Sequence, residues 1–180
     1  MGATTTLVTV QEFLQMVEPN GQRMELIGGE VVTMSFGKAP HEIVKKNLLR
    51  ILVAWLLQHP VGELFAETMF ELDDHDSLMP DLSVVFHGRV VPGTDDWLHG
   101  APEIAIEVVS SETAARLEEK VDLYLAHGGK SVWVAFPQTR AVRIFDGAGF
   151  SKKFEQNQIL EDPNILPGFS TPVSAIFEGI

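Results

Sequence analysis

An α/β fold, a mixed central β-sheet flanked by helices, is what this sequence predicts, and three observations carry the prediction. Apolar residues recur at helical spacing along 40–58 and 112–127. Two short, strongly apolar runs, 81–86 and 103–109, have the length of buried strands. Further strands stand on both sides of these, some paired as hairpins and some separated by helices, so the order is mixed.

Each element has a local reason. Residues 9–17 read as a short helix, with Thr9 as its cap and Glu12, three residues on, completing a capping box. Residues 23–34 read as a hairpin in which Gly28-Gly29 turns between Met24-Glu25-Leu26-Ile27 and Glu30-Val31-Val32. Pro40 suits the first turn of the long helix, Val44, Leu48, Ile51, Leu52 and Trp55 share one face, and His59-Pro60 ends it. Lys45, Lys46 and Arg50 lie off that stripe and read as a solvated face. Short strands follow near 63–66 and 68–72, then the polar turn Asp73-Asp74-His75-Asp76-Ser77. The strands 81–86 and 103–109 are joined by a loop rich in Gly, Pro and Asp. The helix 112–127 is stopped by Gly128-Gly129. Strands at 131–135 and 141–145 come next, and a turn from Pro167 with a short helix beginning at Thr171-Pro172 closes the chain.

The 180 residues suffice for one domain with a sizeable core, and no repeat or long linker divides them, so a single domain over 1–180 is expected, with 1–20 an N-terminal helical segment. Hydrophobic residues at 45% and charged residues at 21% are the balance of a globular chain, not a disordered one. The lack of cysteine excludes a disulfide, a zinc–thiolate site and a thiol nucleophile, and fits a reducing compartment. Residues 1–9 lack the basic start and apolar run of a signal peptide, and no apolar stretch is long enough to span a bilayer, so a cytoplasmic location with no membrane partner is expected. A formal net charge of −12 argues against tight general binding of nucleic acid. It leaves room for a local positive face and suits a divalent-cation site, where the ion reverses the local charge logic.

Glu107 is the most informative position. It interrupts Ile104-Ala105-Ile106-Glu107-Val108-Val109, a run that reads as a buried strand, where an ionised carboxylate is costly unless paired, hydrogen-bonded or bound to a metal. Alternation puts Glu103, Ala105, Glu107 and Val109 on one face. The plainer account is an edge strand with Glu107 facing water. Asp81 follows Pro80 and opens the other apolar strand. If the two strands run antiparallel side by side, Asp81 and Glu107 meet at one end of the sheet. Two such carboxylates repel unless a cation or proton lies between them, and oxygen-only ligands favour Mg²⁺, Mn²⁺ or Ca²⁺. Asp81→Asn is then expected to raise the melting temperature of the metal-free protein. Lys120 sits at the edge of the inward stripe Leu117, Val121 and Tyr124, from which it can reach back to the carboxylates; snorkelling is the plainer account.

Met79-Pro80-Asp81-Leu82, Glu107-Val108-Val109-Ser110 and Glu119-Lys120-x-x-x-Tyr124 resemble the Uma family of restriction-endonuclease-like proteins, within the PD-(D/E)XK nuclease superfamily. The resemblance continues in Met24-Glu25-Leu26-Ile27-x-Gly29-Glu30-Val31-Val32, Val132-Trp133-Val134 and Leu166-Pro167-Gly168-Phe169, and spans 21–178. It implies a restriction-endonuclease-like sheet with additional N-terminal and C-terminal β-hairpins. It implies Asp81 and Glu107 as catalytic acids and metal ligands, the Val108 backbone carbonyl completing the shell, and Mg²⁺ or Mn²⁺ as cofactor. The superfamily's simplest pattern has lysine at the position of Val109; here it looks displaced to Lys120. The implied activity is hydrolysis of phosphodiester bonds in DNA by a homodimer. Ser110-Ser111-Glu112, Arg116 and Phe136-Pro137 depart from the family's usual Ser-Pro-Ser, Asp and Asp-Pro. These departures keep open a catalytically inactive binding or assembly protein on the same fold.

Other signals are weaker. Gly129-Lys130-Ser131 mimics the end of a phosphate loop but lies between a helix and a strand in the wrong order. The six histidines show no zinc-ligand spacing. His41-Glu42 can approach the site from the start of the long helix, making Glu42 a possible accessory acid, as Tyr124 is a possible accessory group; a helix-start acid meeting the macrodipole is the plainer account of Glu42. Asp73, Asp74 and Asp76 lack calcium-loop spacing and read as a solvated turn.

Overall fold

The structure, a computed structural model, describes residues 7–18, 22–34, 37–89 and 98–180. Helix α1 (Val10–Phe13) is one turn closed by the expected capping box: Thr9 Oγ1 accepts from the Glu12 N–H, and the Glu12 carboxylate accepts from the Thr9 N–H at 2.9 Å. It ends earlier than residue 17 because Met16 and Val17 stand exposed, so further turns would bury little. Strands β1 (Arg23–Ile27) and β2 (Glu30–Met34) form the expected hairpin, in register Ile27↔Glu30. Gly28 and Gly29 both have positive φ, 56° and 75°, as the tight two-residue turn requires. Helix α2 (Ala39–Leu56) follows, with Val44, Leu48 and Leu52 buried on one face.

Strands β3 (Gly62–Ala66), β4 (Phe70–Glu71), β5 (Ser77–Leu78), β6 (Leu82–Phe86), β7 (Leu98–His99) and β8 (Ile104–Val108) precede helix α3 (Ala114–Ala126). Then come β9 (Ser131–Phe136), β10 (Ala141–Asp146), β11 (Ser151–Phe154), β12 (Ile159–Glu161), β13 (Ser170–Pro172) and helix α4 (Val173–Ile176). The central sheet is mixed and six-stranded, in the order β11-β10-β9-β8-β6-β3. Its one parallel pair, β8 with β9, is bridged by α3, as a parallel connection demands. A second sheet, β2-β1-β5-β4-β7, carries the N-terminal hairpin, and β12 pairs with β13 near the C-terminus. Strands β5, β7, β11, β12 and β13 fall outside the element-by-element expectation, β13 lying where a turn and the start of a helix at Thr171-Pro172 were expected. The first two are two-residue strands, too short to show a period, and β11 (Ser-Lys-Lys-Phe) is mostly exposed. Part of the expected loop between β6 and β8, residues 90–97, lies outside the described residues.

The central sheet separates two cores. Ile104, Ile106 and Val108 pack with Val44, Leu48 and Leu52 of α2 and with the C-terminal segment. Ala105 and Val85 pack on the other face with Leu117, Val121 and Tyr124 of α3 and with Phe70 and Leu78 of the second sheet. Two surface expectations are corrected. Asp76 is buried and accepts from the Gly28 N–H at 2.6 Å, because the tight turn leaves that donor without a ladder partner. Lys45 is no free member of a solvated face; it pairs with Glu67 and, at 2.8 Å, with Glu42.

Gly129 seals the end of α3. Its N–H donates to the Tyr124 carbonyl at 2.9 Å, and a Cβ placed on it would meet that same carbonyl oxygen at 2.6 Å. Backbone cannot swing aside as a side-chain tip can. Gly129→Ala is therefore expected to cost about 1–3 kcal/mol, the usual range for overpacking. Urea unfolding of the two proteins measures it, and equal midpoints would contradict this packing.

Candidate active site

Strands β6 and β8 pair antiparallel, with Leu82 opposite Ile106. Asp81 and Glu107 are the next residues outward on each strand. Leu82, Val84, Ile104, Ile106 and Val108 all face α2, so alternation turns Asp81 and Glu107 to the α3 side. The edge-strand account of Glu107 fails: β8 lies between β6 and β9, and the residue is 4% exposed. Asp81 Oδ2 accepts from the Val108 N–H at 2.8 Å, which fixes the carboxylate beside the backbone that carries Glu107. Asp81, Glu107 and Val108 line one cleft of about 370 Å³, walled also by Arg23, Glu25, Thr33, Met34, His41, Glu112 and Arg116.

Lys120 comes to the same place from α3. Its Nζ lies 2.8 Å from Glu107 Oε1 and 3.0 Å from Glu25 Oε1, and the side chain is 1% exposed. It is not a snorkelling lysine: Glu25 and Glu107 stand between it and the cleft. Tyr124, one turn on, donates its hydroxyl to Glu107 Oε1 at 2.8 Å. Helix α2 contributes His41, whose Nε2 stands 3.1 Å from Asp81 Oδ2. Glu42 is not among the residues that line the cleft; it is half-exposed, bound to His41 Nδ1 at 3.0 Å and to Lys45, so its influence on Asp81 passes through His41. Sequence reasoning gave no role to Glu25 or Glu112 and passed over His41 in favour of its neighbour.

The electrostatics divide the two strand-end acids. Burial disfavours ionised Asp81, but His41, the Val108 N–H and Lys120 outweigh it and hold the carboxyl below its usual range. Burial drives Glu107 the other way. Lys120 opposes the rise, but Asp81, Glu25 and Glu112 reinforce it, and Glu107 is pushed up to about 8. Glu112 is raised by burial in the same acidic surroundings. Lys120 keeps its proton: burial works against the ammonium, yet Glu107 and Glu25 hold its pKa above the ordinary value. Tyr124 is raised well above its usual value by burial and by the field of Glu107, so it remains a donor. The costly ionisation in this cleft is therefore that of Glu107, which keeps its proton up to about pH 8. The expectation that Asp81→Asn raises the melting temperature is replaced by the same expectation for Glu107, because Asp81 has partners that stabilise its charge.

His41 is raised as well, since Asp81 and Glu42 outweigh the cost of its burial. Its contribution is complete below its ordinary pKa and is lost as the pH rises through the raised value. The contribution of Asp81 is present above its ordinary pKa and is lost as the pH falls through the lowered one. With chelator present, His41→Gln should therefore cost about 1–3 kcal/mol in the window between those limits, the scale of a hydrogen bond to a charged group. The difference should shrink at both ends. Melts of both proteins between about pH 3 and 9 test this; a difference independent of pH would contradict the pairing.

The donors fit a hard divalent cation. Asp81 Oδ2 and Glu107 Oε1 take the hydrogen bonds described above, and both side chains line the cleft. Glu112, in the same wall, holds Oε2 buried without a hydrogen-bond partner among the described residues. Among the described residues no three His, Asp or Glu side chains stand close enough together to hold a metal by themselves. Magnesium does not need three, since it keeps several waters and takes one or two carboxylates.

These features are those of a restriction-endonuclease-like protein with an acidic cleft at the end of two antiparallel strands. The chain belongs to the family described as "Uma2: Putative restriction endonuclease", whose profile matches residues 10–174. Five solved chains match its fold. One, described as a "putative nuclease belonging to DUF820" from Anabaena variabilis ATCC 29413, is similar with a TM-score of 0.83 and 20% identity, over 94% of this chain and 97% of that one. No curated protein matches the sequence. Among the described residues no helix is long and apolar enough to cross a membrane.

Proposed function

We propose that this protein is a Mg²⁺- or Mn²⁺-dependent endonuclease that hydrolyses phosphodiester bonds in DNA. The observation that carries the reading is the meeting of Asp81 and Glu107 from neighbouring antiparallel strands in one cleft, with a buried ammonium, Lys120, directly behind Glu107. Asp81 and Glu107, with the Val108 carbonyl, would be the ligands. The bound ion would polarise a phosphate oxygen and lower the pKa of a water. Tyr124 and Lys120 both engage Glu107 Oε1, so Oε2 is the oxygen that would meet the cation. His41 and the Val108 N–H fix Asp81 Oδ2 and leave Oδ1 for the same purpose. Lys120 offsets the charge that develops on the phosphate, acting through a desolvated space where such a field is strong. Arg23 and Arg116 line the cleft, paired with Glu67 and Glu119 respectively, and would exchange those carboxylates for the neighbouring phosphates, which the overall charge of −12 otherwise repels.

The test is incubation of the purified protein with plasmid DNA, single-stranded DNA and RNA, each with Mg²⁺, Mn²⁺ or chelator. Metal-dependent cutting of DNA is the expected result. Cutting of RNA alone would move the substrate class, and no cutting with any metal would favour a binding protein on the nuclease fold. Cleavage of both strands of a duplex needs two sites, so the active species is a homodimer. Sedimentation should show a dimer at micromolar concentration, and a monomer there would argue against it.

A further inference from the structure

Glu25 has no assigned part in this site, yet its surroundings are unusual for a residue of a hairpin strand. It belongs to β1, in the second sheet, opposite Val32 of β2. Its side chain is 2% exposed and lines the cleft. Oε1 accepts from the Met79 N–H at 2.9 Å and lies 3.0 Å from Lys120 Nζ. Oε2 is buried with no hydrogen-bond partner among the described residues. The Met79 contact ties Glu25 to the segment that leads into Asp81. A buried carboxylate with one oxygen unpaired is a destabilising feature for a hairpin, so packing alone gives no reason for it.

The reason lies in the charges around Lys120. Two carboxylates, Glu107 and Glu25, face this buried ammonium. Under the function proposed above, Glu107 is claimed by a cation and no longer compensates Lys120 in full. Glu25, the second carboxylate on the ammonium, remains. We propose that Glu25 is a positioning residue of the active site, which holds Lys120 in place from the second sheet when Glu107 is engaged by a cation. The proposal rests on the nuclease reading for its catalytic consequence, but the hold of Glu25 on Lys120 can be tested apart from it.

Glu25→Gln keeps the size of the side chain and an oxygen for the Met79 N–H while removing the charge. The first measurement is amine-directed labelling with each lysine followed by mass spectrometry, in the presence of saturating Mn²⁺. In the wild type Lys120 should be protected. In Glu25→Gln its labelling should rise at least about tenfold while the other lysines keep their rates. Unchanged protection of Lys120 overturns the proposal, and so does a rise at every lysine, which would mean general loosening. The second measurement is the single-turnover cleavage rate of the wild type, Glu25→Gln, Lys120→Met and the double variant. Glu25→Gln should slow cleavage at least about tenfold with little change in the substrate concentration needed. In the Lys120→Met background the same substitution should change the rate less than twofold, because the group it positions is gone. Effects that multiply would show Glu25 acting independently of Lys120 and would overturn the proposal. A wild type that cuts nothing defeats the nuclease reading, while the labelling result still decides the role of Glu25.

Discussion

Lys120→Ala should destabilise the protein by about 3–5 kcal/mol, the cost of removing one partner from a buried ion pair. A lysine snorkelling at a helix edge could be removed for far less. Here the ammonium is buried and stands within 3.0 Å of two buried carboxylates, which would be left facing each other. The same substitution should reduce cleavage by about a hundredfold to a thousandfold, the range for deleting one group that stabilises developing charge. Stability and catalysis separate in a second variant. Lys120→Met combined with Glu107→Gln removes the ammonium together with the buried acid it faces, so it should recover much of the lost stability and none of the activity. Urea unfolding and single-turnover cleavage measure the two effects. A Lys120→Ala protein as stable as the wild type would mean that the ammonium does not occupy this buried position.

Glu107→Gln carries the second large effect, and its sign depends on pH. Burial and the neighbouring acids push Glu107 up to about 8 from an ordinary value of 4.5. Between those values the folded protein holds a proton that the unfolded chain has released. Stability of the metal-free wild type should therefore fall as the pH rises from about 4.5 to about 8, by a few kcal/mol in total. Glutamine holds no ionisable proton and still offers an oxygen to Tyr124 and Lys120, so the variant should show a flatter profile and melt higher than the wild type at pH 8. Added Mn²⁺ should stabilise the wild type, by about 2.7 kcal/mol at a hundredfold excess over its dissociation constant, and the variant much less. Cleavage should fall by on the order of a thousandfold or more, as for other groups that act as a unit. Thermal melts with chelator and with Mn²⁺ give the profiles. A wild type whose stability rises with pH over this range would contradict the charge distribution described for Glu107.

The fold and the site were legible to different degrees. The hairpin of β1 and β2 was readable because Gly28-Gly29 stands between two apolar runs, and α2 because its buried residues repeat at helical spacing. The charged residue inside the apolar β8 disclosed Glu107, and the antiparallel neighbour placed Asp81 beside it. The extension of that hairpin into a second sheet was not readable, because strands of two residues such as β5 and β7 carry no period and owe their place to pairing with distant segments. The same distance hid Glu25 and His41 as partners of Lys120 and Asp81. A signal for Glu25 was nonetheless present. Met24-Glu25-Leu26-Ile27 is a glutamate inside an apolar run, the pattern that made Glu107 informative, and all four residues are buried. Nothing in the local sequence of His41-Glu42 indicates which of the two turns inward; the direction of α2 across the sheet decides it.

The central claim is that Asp81 and Glu107 hold a divalent ion at which DNA is cut. It is tested most directly by one comparison: single-turnover cleavage of a labelled DNA duplex by the wild type and by Asp81→Asn, each titrated with Mn²⁺ from a chelated starting point. The wild type should be silent in chelator and gain activity with a saturable dependence on Mn²⁺, while Asp81→Asn should stay silent at metal concentrations that saturate the wild type. Cleavage that persists in chelator, or an Asp81→Asn protein that cuts as fast as the wild type at the same Mn²⁺ concentration, would contradict the site.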